Sequence, residues 1–451
     1  MKILITGASG LIGRSLIHRL LIEGHDVRAL ARSIHSLPEL AEKNIFPWSD
    51  DKQPPVDAIS GCDAIVHLAG EGIADQRWTA ARKKRLWDSR VEGTKNLVAA
   101  IAELAAEKRP KVLISGSAIG YYSDGSHPQN ESSPKGTGFL PDLSEAWEEA
   151  ASKAEKLGLR TVFLRTGLVL AKHGGVLKKT GPVILGNGQQ WMSWIHIEDM
   201  VRFIIYSIQT AKASGAYNLT APNPVTNAEF TKAFAKKMNI PITIHAPSLA
   251  LKFALGEMAK VILASQKVIP EKAIADGFMF KFKTIESALS DIYKDSNLVD
   301  NYFSTKQFIP LKRKDIFPFF GKAENLETLT PPWLHFHIIN KSTPNVHKGT
   351  LIDYKLNIHG FPIKWRTLIS DWNPEISFID SQLRGPYKKW HHVHTFEDVP
   401  GGTLISDDIT FRPPGWIFGK LLLPLVRKDL LEIFQFRQKK IKELYLKGSM
   451  E

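Results

Sequence analysis

The chain has 451 residues, 43% hydrophobic and 23% charged, with one cysteine and a net charge of +13. That length exceeds one hydrophobic core, so two or three domains are expected, while the lone Cys62 excludes an intrachain disulfide scaffold and suits a reducing compartment. The positive excess is shared about equally by residues 1–300 and 301–451, which favours a basic solvated surface over a nucleic-acid patch.

The first apolar run, Lys2–Thr6, stops at a glycine turn, so no signal peptide is expected. No segment reaches the roughly 18 apolar residues of a membrane span. Lys2–Thr6, Asp26–Ala31, Ala64–Leu68, Lys111–Ser115 and Thr161–Leu164 read as short buried strands. Ile12–Glu23, Ala80–Ala106 and Leu143–Leu157 read as the helices between them. This alternation predicts an α/β fold, a doubly wound parallel sheet with helices on both faces.

From about Tyr302 strand patterns follow one another without helices: Leu334–Asn340, Gly349–Ile358, Ile363–Ser370, Ile376–Leu383, Lys389–Phe396 and Gly402–Phe411. Short turns between them predict an antiparallel meander. One amphipathic helix closes the chain, roughly Leu425–Leu446, with Pro424 in its first turn. Leu430, Ile433, Phe434, Ile441 and Leu444 recur on it at helical spacing. The expected organisation is residues 1–298, with a small substrate subdomain from about 170, then a C-terminal α+β domain, 299–451. In the latter, a curved sheet grips a long helix.

Thr6-Gly7-Ala8-Ser9-Gly10-Leu11-Ile12-Gly13 follows the first strand and opens the first helix. Gly7 permits the tight turn, Gly10 lets backbone approach a pyrophosphate, and Gly13 lets helix and strand pack closely. The anion would sit on free helix N–H groups. Strand, turn, helix and second strand all fall where a Rossmann dinucleotide site needs them. The second strand ends Val27-Arg28-Ala29-Leu30-Ala31-Arg32-Ser33, without the acidic residue that would take the ribose hydroxyls of NAD. Arg32, with Arg28 nearby, suits a 2′-phosphate, so NADP(H) is the expected cofactor. Small residues at Ala69 and Gly70, after Leu68, would let a strand end lie against it.

These elements resemble a known family. The glycine turn, His67-Leu68-Ala69-Gly70 and Ser115-Gly116-Ser117-Ala118-Ile119-Gly120-Tyr121-Tyr122 resemble extended short-chain dehydrogenases/reductases, the sugar-nucleotide epimerase group. Trp78-Thr79, Trp87 through Thr94, Gln190 through His196, Leu255 through Met258 and Glu271–Phe282 resemble its atypical epimerase-like subfamily. Members are often named NAD(P)-dependent epimerases or, loosely, cell-division inhibitors. The resemblance covers about residues 1–295 and implies NADP(H) binding, with Ser115 beside the cofactor, and a cytoplasmic location. By element order, the tail resembles START-like (SRPBCC) helix-grip domains, which implies an apolar ligand.

The superfamily works with a Ser and a Tyr-x-x-x-Lys pair, the tyrosine as acid/base. Ser117 matches the serine, but Leu143 and Trp147 stand at the Tyr and Lys positions, and Arg90 replaces a helix asparagine. Three readings stay open. Another group moves the proton (Tyr121, Tyr122, His196 or Glu145), the domain binds NADP(H) as a sensor or regulator without turnover while the C-terminal domain binds an apolar ligand or a partner protein, or the register differs. The expected substrate is a small carbonyl, hydroxyl or nucleotide-sugar-like compound. Trp191, Trp194 and His196 either line its pocket or pack in the core. Asp199 is expected to cap a helix starting at Met200. In the tail, His392 and His394 share one strand face and His391 the other. No further ligands are evident in sequence, so no metal site is expected. Phe361, Trp365, Phe378 and Trp390 are expected to line the core or cavity of the sheet.

Overall fold

In the parallel sheet the expected strands form with two additions, Ile45–Pro47 and Gly215–Leu219. In the computed structural model, β1 (Lys2–Thr6) is followed by α1 (Leu11–Ile22), β2 (Asp26–Ala31), β3 (Ile45–Pro47) and β4 (Ala64–His67). Next come α2 (Ala80–Asp88), α3 (Val91–Ala102), β5 (Val112–Ala118), α4 (Phe139–Ser152), β6 (Arg160–Thr166), α5 (Ile197–Gln209) and β7 (Gly215–Leu219). The sheet order is β7-β6-β5-β4-β1-β2-β3, and every pairing is parallel. Ile3, Leu4, Ile5, Ile65, Val66 and Ile114 are fully buried. Helices cover both faces, so these strands are apolar throughout rather than alternating. The structure describes residues 1–172, 174–179, 182–241, 243–294, 300–414 and 422–446.

The expected helix Ala80–Ala106 is broken into α2 and α3 at Ser89 and Arg90. Ser89 Oγ accepts from Glu71 N (3.1 Å), and the Arg90 guanidinium donates to Glu71 O (2.9 Å) and Leu86 O (3.2 Å). Both side chains hold the loop after β4. Residues 170–294 add short strand pairs and the helices Asn227–Lys237 and Ile285–Ile292, around a core that includes Trp194, Phe230, Phe234 and Phe282.

The C-terminal part contains β8 (Asn301–Ile309), β9 (His337–Lys341), β10 (Leu351–Ile358), β11 (Phe361–Asn373), β12 (Ser377–Arg384), β13 (Lys389–Val399), β14 (Gly402–Arg412) and α6 (Leu423–Leu446). They form one antiparallel sheet in the order β8-β14-β13-β12-β11-β10-β9. β8 was not legible in sequence: it is an edge strand, half-buried over most of its length, with no clear alternation. Two short helices after it, Arg313–Phe320 and Asn325–Leu329, were also unexpected. Leu430, Phe434 and Ile441 of α6 are buried against the sheet, on Ile409, Phe411, Phe396 and Ile405. Phe361, expected inside, sits beside the His359-Gly360 turn and is 72% exposed.

The chain divides into two compact units, Met1–Leu37 with Glu42–Leu298, and Pro38–Ala41 with Val299–Glu451. The boundary expected at 298/299 lies outside the described residues. Among the described residues no helix is long and apolar enough to cross a membrane.

Candidate active site and an aromatic cavity

The glycine turn is built for close contacts. Gly7 has φ +64°, and a Cβ there would lie 2.5 Å from the carbonyl carbon of Leu68. A Cβ on Gly13 would lie 2.5 Å from Gly7 O, so α1 and β1 pack at backbone distance. No side chain caps α1 and its first turn holds no acid, so first-turn N–H groups remain for an anion. Ser9 and Gly10 are exposed, and Leu11 and Ile12 half-buried. Thr6 Oγ1 pairs with His67 Nδ1 (2.7 Å) and accepts from Ala69 N (3.1 Å), tying the turn to the end of β4. His67 Nε2 meets Thr94 Oγ1 at 2.9 Å, and burial holds the His67 pKa down at about 4. Ser115, paired with His67 across β4 and β5, is fully buried beneath this edge.

At the end of β2 the two arginines part ways. Arg28 Nη1 donates to the carbonyls of Asp57 (2.7 Å), Ala58 (3.1 Å) and Ser60 (3.3 Å), a structural role that removes it from the site. Arg32 is exposed, and nearby Arg14 Nη2 donates to Ser36 O at 2.6 Å.

Ser117 stands opposite Arg165 in the β5–β6 register. Its Oγ donates to Glu148 Oε1 at 2.6 Å. Arg165 grips Glu148 with two hydrogen bonds, Nε–Oε1 and Nη2–Oε2, both 2.8 Å. Arg165 Nη1 also donates to Tyr122 Oη (2.9 Å), which donates to Asn218 Oδ1 (2.7 Å). Burial raises the Tyr122 pKa above the ordinary phenol value, against the opposing charge of Arg165. Tyr121 is half-buried, with its ring 3.5 Å from the guanidinium carbon of Arg165. Sequence reasoning missed Glu148 and Arg165, because helix-to-strand packing and not spacing brings them together.

Leu143 and Trp147 are buried on α4. The Trp147 ring lies where a Cβ on Gly116 would come within 2.8 Å, and the Arg90 guanidinium lies 5.2 Å over that ring. Trp147 and Arg90 thus form a packed Trp–Arg pair that places a cation at the start of α3. Burial lowers the Arg90 pKa to about 10.

The structure does not bring the second aromatic group to this cluster. Trp194 is fully buried, with Nε1 donating to Asn223 O at 3.2 Å. His196 is 3% exposed, packs on Phe282 at 3.8 Å and accepts from Glu198 N at 3.1 Å. His196, not Asp199, therefore caps α5, which begins at Ile197. Asp199 accepts instead from Lys281 N (2.9 Å) and Phe282 N (2.8 Å). Trp191 is half-buried, with Lys267 Nζ 4.0 Å from its ring centre.

A cavity of about 470 Å³ lies between the antiparallel sheet and α6. Tyr354, Trp365, Phe378, Tyr387, Trp390 and Phe434 line much of it, with Asp380, His392, His394 and Arg437 on its wall. Burial opposes charge on His392, yet the carboxylates of Asp380 and Asp407 raise its pKa to about 9.

The profile of the NAD dependent epimerase/dehydratase family matches residues 3–220, and a domain of unknown function, DUF1731, matches residues 246–292. An epimerase family protein of Mycobacterium leprae is 40% identical over 296 residues, 63% of this chain and 94% of that protein. The chain belongs to the epimerase family. The chloroplastic SDR39U1 homolog of Arabidopsis thaliana is 37% identical to this family member, over 65% of this chain and 86% of its own. The solved structure of human epimerase family protein SDR39U1 with NADPH is 29% identical, with TM-score 0.58, covering 65% of this chain and 100% of that one. The nucleoside-diphosphate sugar epimerase of Corynebacterium glutamicum is 32% identical, with TM-score 0.52, over 64% of this chain and 57% of its own.

Proposed function

We propose that the N-terminal unit is an NADP(H)-dependent oxidoreductase or epimerase acting on a small carbonyl, hydroxyl or nucleotide-sugar-like substrate. The observation that carries this is the Ser117–Glu148–Arg165–Tyr122 network beside a complete dinucleotide turn. Gly7, Gly10 and the first turn of α1 would hold the pyrophosphate, and Arg32 a 2′-phosphate. The bound nicotinamide supplies hydride transfer.

The residues of this chain do the rest. Ser117 spends its own proton on Glu148, so its oxygen is left to accept from a substrate hydroxyl. Tyr121, also against Arg165, is the group we assign to carry the proton, accepting it when a hydroxyl is oxidised and giving it when a carbonyl is reduced, because Tyr122 is held on both sides by Arg165 and Asn218. Arg165 and Arg90 supply the positive charge that the superfamily draws from its lysine. NADPH bound to the human relative supports the cofactor choice. Turnover of bound NADPH during a screen of carbonyl metabolites tests the reading. Its loss in Ser117→Ala and Tyr121→Phe would support the assigned roles, and undiminished turnover in both variants would overturn them.

A specific observation favours a second reading. Leu143 and Trp147 are packed into the core, which suits a site that binds NADP(H) and senses redox state without turnover. Tight NADPH binding with no oxidation by any candidate would select it. For residues 299–451 we propose a START-like helix-grip domain whose aromatic cavity takes an apolar ligand. We place the whole protein in the cytoplasm, consistent with its single buried thiol.

A further inference from the structure

We propose that the cavity of the C-terminal unit contains a site for one divalent first-row transition metal, held by Asp380, His392 and His394 and backed by Asp407. Sheet register assembles it. Asp380 on β12 lies opposite His392 on β13, and His394 on β13 lies opposite Asp407 on β14. His392 and His394 are two apart on one strand, so their side chains share a face, and their ring centres are 3.7 Å apart.

Each histidine presents one nitrogen to each carboxylate. His392 Nδ1 and His394 Nε2 converge on Asp380 Oδ2, at 3.2 and 3.0 Å. The opposite nitrogens, His392 Nε2 and His394 Nδ1, face Asp407 Oδ1 at 3.0 and 2.8 Å. The three inner donor atoms all lie within 4.8 Å of one another. Metal–ligand distances of about 2.0–2.2 Å put neighbouring tetrahedral donors roughly 3.3–3.5 Å apart, so the 3.0 and 3.2 Å separations need only small side-chain shifts. Two imidazoles and a carboxylate are the donors that zinc and ferrous iron take. The second nitrogen of a metal-bound histidine ordinarily donates to an outer carboxylate. Asp407 takes that bond from His392 Nε2 and lies within reach of His394 Nδ1, with Arg437 Nη2 3.5 Å away to balance its charge.

The cluster is incomplete as a hydrogen-bond network. His394 Nδ1 approaches Asp407 closely but makes no hydrogen bond, and Arg437 Nε has no hydrogen-bond partner. His394 and Arg437 are 3% and 8% exposed. An apolar guest alone needs no such group, and burying four or five ionisable side chains opposes folding unless something uses them. A metal here would keep an open coordination position toward the cavity, because Asp380, His392 and His394 all line it. A second histidine cluster, His196 with Glu198 and Asp291, is a weaker candidate: His196 Nδ1 caps α5 and Lys281 holds Glu198.

The test uses the full chain, stripped with chelator and titrated with Co²⁺. The expected result is one equivalent bound, with visible ligand-field bands that Zn²⁺ abolishes by displacement. Asp380→Asn and His394→Ala should each weaken binding by at least ~10-fold, Asp407→Asn by about 10- to 100-fold, and His196→Ala not at all. Circular dichroism checks that each variant keeps its sheet. Should a variant fail to fold, X-ray absorption fine structure of the Zn²⁺-loaded wild type decides, two imidazoles and oxygen being expected. A stripped, folded wild type that takes up no Co²⁺, bands unchanged in the folded Asp380→Asn and His394→Ala variants, or a zinc spectrum without imidazole would each overturn the proposal.

Discussion

At the scale of single residues, the cofactor turn depends on the absence of side chains. A Cβ on Gly7 would overlap the backbone of Leu68 and Ala69, in a conformation that costs a side-chain-bearing residue about 1–2 kcal/mol by itself. Gly7→Ala should therefore lower the thermal midpoint and abolish NADPH binding, measured by calorimetry; unchanged affinity would refute this account of the turn. Arg32 is the residue we assign to cofactor choice. A charged hydrogen bond to phosphate contributes roughly 1.5–3 kcal/mol, so Arg32→Ala should weaken NADPH by about 10- to 100-fold and leave NADH nearly unaffected. Equal losses for both cofactors would remove Arg32 from that role. The turn itself was legible in sequence because its glycines act through local backbone geometry. The Glu148–Arg165 pair was not: the two residues are joined by packing of α4 on β6.

At the scale of elements, two contacts hold the site in shape. α4 rests on β5 through Trp147 against Gly116. Overpacking such a contact costs typically 1–3 kcal/mol, so Gly116→Ala should lower the thermal midpoint by several degrees; an unaltered midpoint would mean that α4 can slide. The ends of β1 and β4 are joined through His67, between Thr6 and Thr94. Its folded pKa of about 4 lies below the unfolded value near 6.5. The unfolded chain then binds more protons between those values, so this contribution is complete above about pH 6.5 and is lost as pH falls toward about 4. On the order of 3 kcal/mol is at stake. Chemical denaturation of wild type and His67→Asn across that range measures it, and parallel stability profiles would exclude His67 as the source.

At the scale of the whole molecule, the chain forms two compact units, to which we assign different ligands. Differential scanning calorimetry should resolve two transitions. NADPH should raise one and Co²⁺ the other, each as expected for a ligand that binds only the folded state. A single transition moved equally by both ligands would contradict this division.

The sequence by itself determined the alternation of five buried strands with helices in the N-terminal unit, the glycine turn and the long closing helix. These follow from local rules: backbone freedom, periodicity and the apolar runs of doubly covered strands. It also placed His392 and His394 on one strand face. Only tertiary structure decided that Arg28 is spent on backbone carbonyls, that Trp194 and His196 serve the core and a helix cap, and that Asp380 and Asp407 flank the two histidines. The physical reason is common to all three. Which distant groups become neighbours is set by sheet register and helix packing, and those minimise the free energy of the whole chain and are not written in any one segment of it.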